Sequence, residues 1–241
     1  MAQASNPHRR NQFLAALPRA EFERLAPHLE LMRLELGTIL YESGDQTGHV
    51  YFPTTAMISL AAVMESGVGV EIATIGRDGA VPAIAGLGIS RAFSRAVVQG
   101  SGEASRIVIK ALQRAANDGS RLRDLLLRHH EMVLLQIQQT AVCNAVHEVE
   151  PRLARWLLQY IDATASEVIA LTQDFLSQLL GVRRETVNVS IQALEEDGSV
   201  RVRRGQIEIL DRNKLQKTAC ECYRVICDRK KQILTEAGIL A

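Results

Sequence analysis

Apolar positions along the chain change their period twice, and each change marks a boundary. Phe13, Leu14 and Leu17, then Phe22 and Leu25 beyond Pro18, have the spacing of two short helices. From 29 to about 110 the apolar runs shorten to strand length, at 31–36, 50–52, 57–63, 70–75, 95–99 and 104–109. Between them lie Gly37, Ser43-Gly44-Asp45, Ser66-Gly67, Arg77-Asp78-Gly79 and Ser101-Gly102. Many short strands between regular turn signals predict a barrel or jelly roll. Helical periodicity resumes near Asn117. Residues 121–144 contain no Pro or Gly, and Leu122, Leu126, His129, Val133, Ile137 and Thr140 recur at four and three, as in a coiled-coil seam. At ~1.5 Å per residue this helix is about 36 Å long, more than a small barrel covers. The seam is therefore expected to hold a second copy of the chain, the alternative being a helix packed on its own barrel. A hinge is expected over 143–150. Pro151 then suits the first turn of a further helix with Leu153, Trp156, Leu157 and Ile161 on its apolar face.

The last third has the densest pattern. Thr172 is placed to cap a helix carrying Phe175, Leu176, Leu179 and Leu180, and Gly181 supplies the positive φ of a tight turn. A second helix follows with Val187, Ile191 and Leu194 inward, which turns Arg184, Glu185, Asn188, Val189 and Gln192 outward. Asp197-Gly198 closes it. Val200, Val202, Ile207 and Ile209 then alternate with polar residues around Arg204-Gly205, as in a short hairpin. Helix, turn, helix and hairpin make a winged helix-turn-helix. The fold class is thus α+β, with a jelly-roll domain over 1–116, a long helix and hinge over 117–147, and a winged helix-turn-helix over 148–241.

A helix of this kind fits the DNA major groove, where arginine suits guanine O6 and N7 and a carboxylate accepts from cytosine N4. Arg184, Glu185 and Asn188 are the expected base readers. Thr172, Arg183, Gln192, Arg201, Arg203 and Arg204 flank helix and wing, where they are expected to meet phosphates. The competing reading is a ligand-sensing or protein-interaction module whose helix-turn-helix no longer reads an operator.

Composition changes this picture little. The 241 residues are 47% hydrophobic and 4% aromatic with a net charge of +1, so the basic patch at the C-terminal motif is averaged away in the total. The N-terminal run MAQASNPHRRNQF has no apolar stretch behind its arginines, which predicts no signal peptide and a cytoplasmic protein. Residues 46–64, free of charges, carry His49, Pro53 and several hydroxyl residues and do not read as a membrane helix. No phosphate loop of Walker type, G-x-S-x-G elbow or H-E-x-x-H motif occurs, so no enzyme and no catalytic residue is expected.

The run LTQDFLSQLLGVRRETVNVSIQALEEDGSVRVRRGQIEILD resembles the C-terminal DNA-binding domain of the Crp/Fnr transcriptional regulators, whose helices typically read L-T-x-E-x-L-A-x-x-L-G-x-S-R-E-T-V-S-R. By that resemblance Arg184 and Glu185 take the family's base-contacting positions and Asn188 a variable specificity position. Arg183 replaces the usual small N-cap and Val189 a commonly basic residue. Tyr41-Glu42-Ser43-Gly44-Asp45 and Val50-Tyr51-Phe52 are similar to early strands of the family's cyclic-nucleotide-binding-like domain. The resemblance implies a homodimer on palindromic double-stranded DNA, and RNA polymerase as a partner.

It also frames the effector. Members that bind cyclic AMP hold the ribose with a glutamate of a Gly-Glu-Leu segment and the phosphate with an arginine of an Arg-Ser-Ala segment. Here the first stretch is 76–83, and no glutamate occurs between Glu71 and Glu103. Arg91 and Arg95 bracket the arginine position, while Asp78 and Val81 sit where the first segment falls. Cyclic AMP is accordingly not expected as effector, and no cofactor is. Metal is not expected either. Cys220, Cys222 and Cys227 fall in an expected helix after Asp211, where Cys220 and Cys222 point nearly opposite ways and share no ion. Cys220 and Cys227 stand about 10 Å apart on that helix, too far for a disulfide. There is no N-terminal cysteine cluster of the Fnr type, His129 and His130 face different sides of their helix, and the role of Cys143 stays open.

Overall fold

The structure is a computed structural model, described over residues 6–236 apart from the side chains of Ser120 and Asp174. The first five residues of the N-terminal run read for a leader lie outside the described residues. Two short helices open the chain, α1 (Gln12–Ala15) and α2 (Arg19–Leu25). Seven strands follow: β1 (Glu30–Leu34), β2 (Ile39–Tyr41), β3 (His49–Pro53), β4 (Met57–Val63), β5 (Gly69–Ile75), β6 (Arg95–Gly100) and β7 (Gly102–Val108). They pair antiparallel in two sheets, ordered β1-β7-β3 and β2-β6-β4-β5. Leu34, Ile58, Ile75, Ala96, Val98 and Ala104 fill the space between the sheets. Alternation inward and outward along each strand makes this roll, as the turn signals predicted.

Helix begins earlier than expected. α3 (Ile109–Asp118) leaves directly from β7, and Ile109, Ala111, Leu112 and Ala116 bury against Phe13, Phe22, Leu25 and Phe52. No Gly or Pro marks the switch from strand to helix, so periodicity alone placed it too late. The long helix α4 (Ser120–Val146) is present. Its expected seam, however, faces its own chain. Leu122 and Leu126 bury with Phe52 and Leu112 in the cluster under the roll, and Val133 and Ile137 pack on the cluster between the sheets. His129 Nε2 donates to Ala80 O at 2.8 Å, and Thr140 is buried. The assignment of this stripe to a partner copy is therefore corrected: the roll covers it, because strand turns at 79–80 rise to meet the helix.

After a break at His147, α5 (Val149–Thr164) is buried on nearly every side, and Leu153, Trp156 and Leu157 anchor the C-terminal core. The core reaches into the roll through Met57 of β4. The joint is close. A Cβ on Gly76 would fall 2.4 Å from Ala163 Cβ, and Arg77 N donates to Ala163 O at 3.2 Å. The chain continues through β8 (Val168–Ile169), α6 (Gln173–Leu180), α7 (Arg184–Glu196), β9 (Val200–Arg203) and β10 (Gln206–Ile209). β8 adds a third strand to the hairpin, in the order β8-β10-β9. The expected single helix after Asp211 is two helices, α8 (Arg212–Thr218) and α9 (Cys222–Glu236), with Ala219 in extended backbone between them. α9 lies along α4, and its Lys230 Nζ meets Asp78 Oδ2 of the roll at 3.2 Å.

Candidate nucleic-acid interface

The helix pair is set by local chemistry. Thr172 Oγ1 accepts from Phe175 N at 3.3 Å, closing the start of α6. Gly181 ends it at φ 65°, with Gly181 N donating to Gln178 O and Val182 N to Ser177 O. The buried Arg152 of α5 donates to Leu180 O at 2.5 Å, so a guanidinium holds a terminal carbonyl of α6 and fixes where the turn begins. α7 then starts at Arg184. Arg183 stands at its N-cap without a side-chain cap bond, as the loss of a small hydroxyl residue there implies.

Val187, Ile191 and Leu194 bury against Leu176, Leu179 and Leu180. Arg184, Glu185 and Gln192 are exposed as that packing requires, and Asn188 is half-buried with its Oδ1 lacking a hydrogen-bond partner among the described residues. Val189 is 66% exposed, an apolar side chain on the same open face. The wing is tied to the helix by Val202 N donating to Glu195 Oε1 at 2.8 Å. Its Arg201 and Arg203 approach Glu208 Oε2 at 3.2 and 3.9 Å, and Arg204 stands at the tip beside Gly205, whose φ is 74°. Arg203 and Arg204 share with Thr172 and Gln173 a cleft of about 430 Å³ between α6 and the wing. One face thus carries three wing arginines, one glutamate between them, and the polar first turns of α7.

The family model for the Crp-like helix-turn-helix domain matches residues 151–218. Residues 151–218 are a Crp-like helix-turn-helix domain. Around it about four fifths of the chain share the fold of solved Crp/Fnr regulators. It is similar to the c-di-GMP-responsive global regulator CLP of Xanthomonas campestris (17% identity, TM-score 0.64, 80% of this chain and 100% of that one). It is similar also to FixK2 of Bradyrhizobium japonicum (15%, TM-score 0.66, 80% and 98%) and to a CRP/FNR-family transcriptional regulator of Thermus thermophilus (22%, TM-score 0.60, 79% and 98%). No curated protein matches the sequence. Among the described residues no helix is long and apolar enough to cross a membrane.

The residues singled out for an effector do not converge in front of the Crp-like domain. Arg95 Nε pairs with Glu42 Oε2 at 2.8 Å, Arg91 Nη1 donates to Gly44 O, Asp78 pairs with Lys230, and Val81 is buried between the sheets. Of the four, Arg95 lines the cavity of about 900 Å³ that separates β4–β6 from the α6 turn of the Crp-like domain. The same wall holds Glu71, which sequence reasoning passed over. Burial pushes its carboxyl up to about 7, opposed by the Ser59 hydroxyl that donates to Oε2. An acidic residue inside a strand, where the pleat alternation points it inward, was the available signal. Burial likewise holds His129 down to about 4, so the imidazole is neutral in the folded chain.

The cysteine geometry needs correction. Cys220 lies in the break between α8 and α9, not on a continuous helix, so it does not point away from Cys222. Both turn toward Cys143 and His147 at the end of α4. Cys227 is exposed and apart from them.

Proposed function

We propose that the chain is a sequence-specific transcriptional regulator that binds a palindromic operator as a homodimer, reads bases with Arg184, Glu185 and Asn188, and contacts RNA polymerase at its promoters. The observation that carries the reading is the open polar face of α7 beside an arginine-bearing wing. Thr172, Arg183, Gln192, Arg201, Arg203 and Arg204 surround that face and meet phosphates, where they add affinity without sequence information. Arg201 and Arg203 give up Glu208 as they do so.

The dimer uses the side of α4 that the roll leaves open. Leu127 and Leu134 are exposed and stand seven residues apart, and exposed Ala141 and Val142 continue the line. A heptad step of this kind suits a two-helix seam. The two reading helices then address half-sites about 34 Å apart. Cyclic AMP is not the signal: with Arg95 engaged by Glu42 and Asp78 by Lys230, neither a phosphate clamp nor a ribose acceptor is assembled.

Gel shifts with genomic fragments at two salt concentrations test the reading. A specific complex survives competitor DNA that strips non-specific binding, and uniform loss of all fragments would refute operator recognition. Calorimetry with cyclic AMP is expected to show no binding at micromolar concentration.

A further inference from the structure

We propose that Cys143, His147, Cys220 and Cys222 form a tetrahedral Cys3His site for one zinc ion, stapling the end of α4 to the start of α9. The ligand atoms of these four residues all lie within 4.8 Å of one another. Cys143 Sγ and Cys220 Sγ are 3.6 Å apart, and Cys222 Sγ and His147 Nδ1 are 3.5 Å apart. Around a tetrahedral zinc with bonds of ~2.3 Å to sulfur and ~2.0–2.1 Å to nitrogen, two sulfurs stand about 3.8 Å apart and a sulfur and a nitrogen about 3.6 Å. Those two pairs already stand near tetrahedral edges, and the remaining pairs lie within 4.8 Å.

The local sequence explains the convergence. His147 caps the end of α4 one turn beyond Cys143, and its N–H donates to Cys143 O at 3.1 Å. Cys220 lies in the break before α9 and Cys222 opens that helix, Tyr223 N donates to Cys220 O across the turn, and both thiols come within reach of Cys143 and His147. All three cysteines are buried. The outer contacts also suit an ion. His147 Nε2 stands 3.1 Å from Glu221 Oε2, which fixes the proton on Nε2 and leaves Nδ1 as the ligand atom, and Gln139 Nε2 donates to Cys222 Sγ at 3.0 Å. Three soft thiolates and an imidazole closing on one point favour zinc and leave no room for the bridging sulfides of an iron–sulfur cluster. Each ligating thiol releases its proton to solvent as the ion binds.

Such an ion ties the last turn of α4 to α9, whose Lys230 meets Asp78, so metal holds the Crp-like domain in one place on the roll. The site stands independently of the operator reading.

The full-length protein, grown with zinc and purified without a polyhistidine tag, is expected to keep about one zinc per chain through dialysis. Its zinc-edge X-ray absorption should show three sulfurs and one nitrogen. Cobalt replacing zinc should give the visible bands of a tetrahedral thiolate site. Cys227→Ser should retain the metal, His147→Ala and Cys222→Ser should lose it, and Glu221→Gln should weaken affinity ~10- to 100-fold. The absorption measurement needs no variant, so it decides the matter even where Cys222→Ser fails to fold. Substoichiometric zinc together with the absence of cobalt–thiolate bands would overturn the proposal, as would a Cys143–Cys220 disulfide found by mass spectrometry in the protein as purified.

Discussion

Arg184 lies in the first turn of α7, the position from which it is proposed to read a guanine edge. Arg184→Ala is expected to cost ~1–3 kcal/mol on the operator and much less on random DNA, read from paired anisotropy titrations. Equal losses on both would make it a phosphate contact. Arg204→Ala should instead weaken every sequence alike and flatten the salt dependence. Two buried groups contribute to the pH response of folding with opposite sign. His129 titrates at about 4 folded and near 6.5 unfolded, so its contribution is lost as pH falls through that window. Glu71 titrates at about 7 folded and near 4.5 unfolded, so its contribution is lost as pH rises. Between 4.5 and 6.5 the two slopes cancel. Glu71→Gln removes one of the two opposing slopes, and urea unfolding should then show stability falling by about 3 kcal/mol more than the parent's from pH 6.5 to 4.5. A variant with the same pH dependence as the parent would show that Glu71 does not carry the compensating proton.

At the scale of the element, α4 has two apolar sides, one covered by the roll and one proposed to meet a partner copy. Leu134→Asp places a charge on the open side and should give monomers by light scattering with little change in unfolding temperature. Val133→Asp places it against the roll, where a charge without a partner is costly, and should lower stability first. A dimer mass unchanged in Leu134→Asp would exclude this side as the seam. α6 shows a different kind of dependence. Its end is held by Arg152, which lies on another helix, so the position of the turn depends on α5 as well as on Gly181.

For the molecule as a whole, the joint between roll and Crp-like domain is a close backbone approach. Gly76→Ala would drive a methyl into Ala163, and the displacement should cost ~1–3 kcal/mol in thermal or chemical unfolding. The cavity of about 900 Å³ opens between the roll and the α6 turn, and its walls come from both. A shift of the Crp-like domain on the roll therefore changes the cavity and the attitude of α7 together.

The sequence by itself determined what local period and turn chemistry govern. Thr172, Gly181 and the Val187–Ile191–Leu194 stripe act within a few residues of one another, so α6, α7 and the wing were legible, as were most strands of the roll between their glycine turns. β8 was not, because two residues carry no period, and α3 was not, because nothing breaks the chain between Val108 and Ile109. Tertiary structure alone decided what covers each face. A period shows that Leu122, Leu126 and Val133 are inward but not whether a roll or a second copy lies over them. It also cannot bring together groups that are distant in sequence. Cys143 and Cys220 are 77 residues apart, and they meet because α9 folds back along α4 after a break at Ala219 that neither glycine nor proline announces.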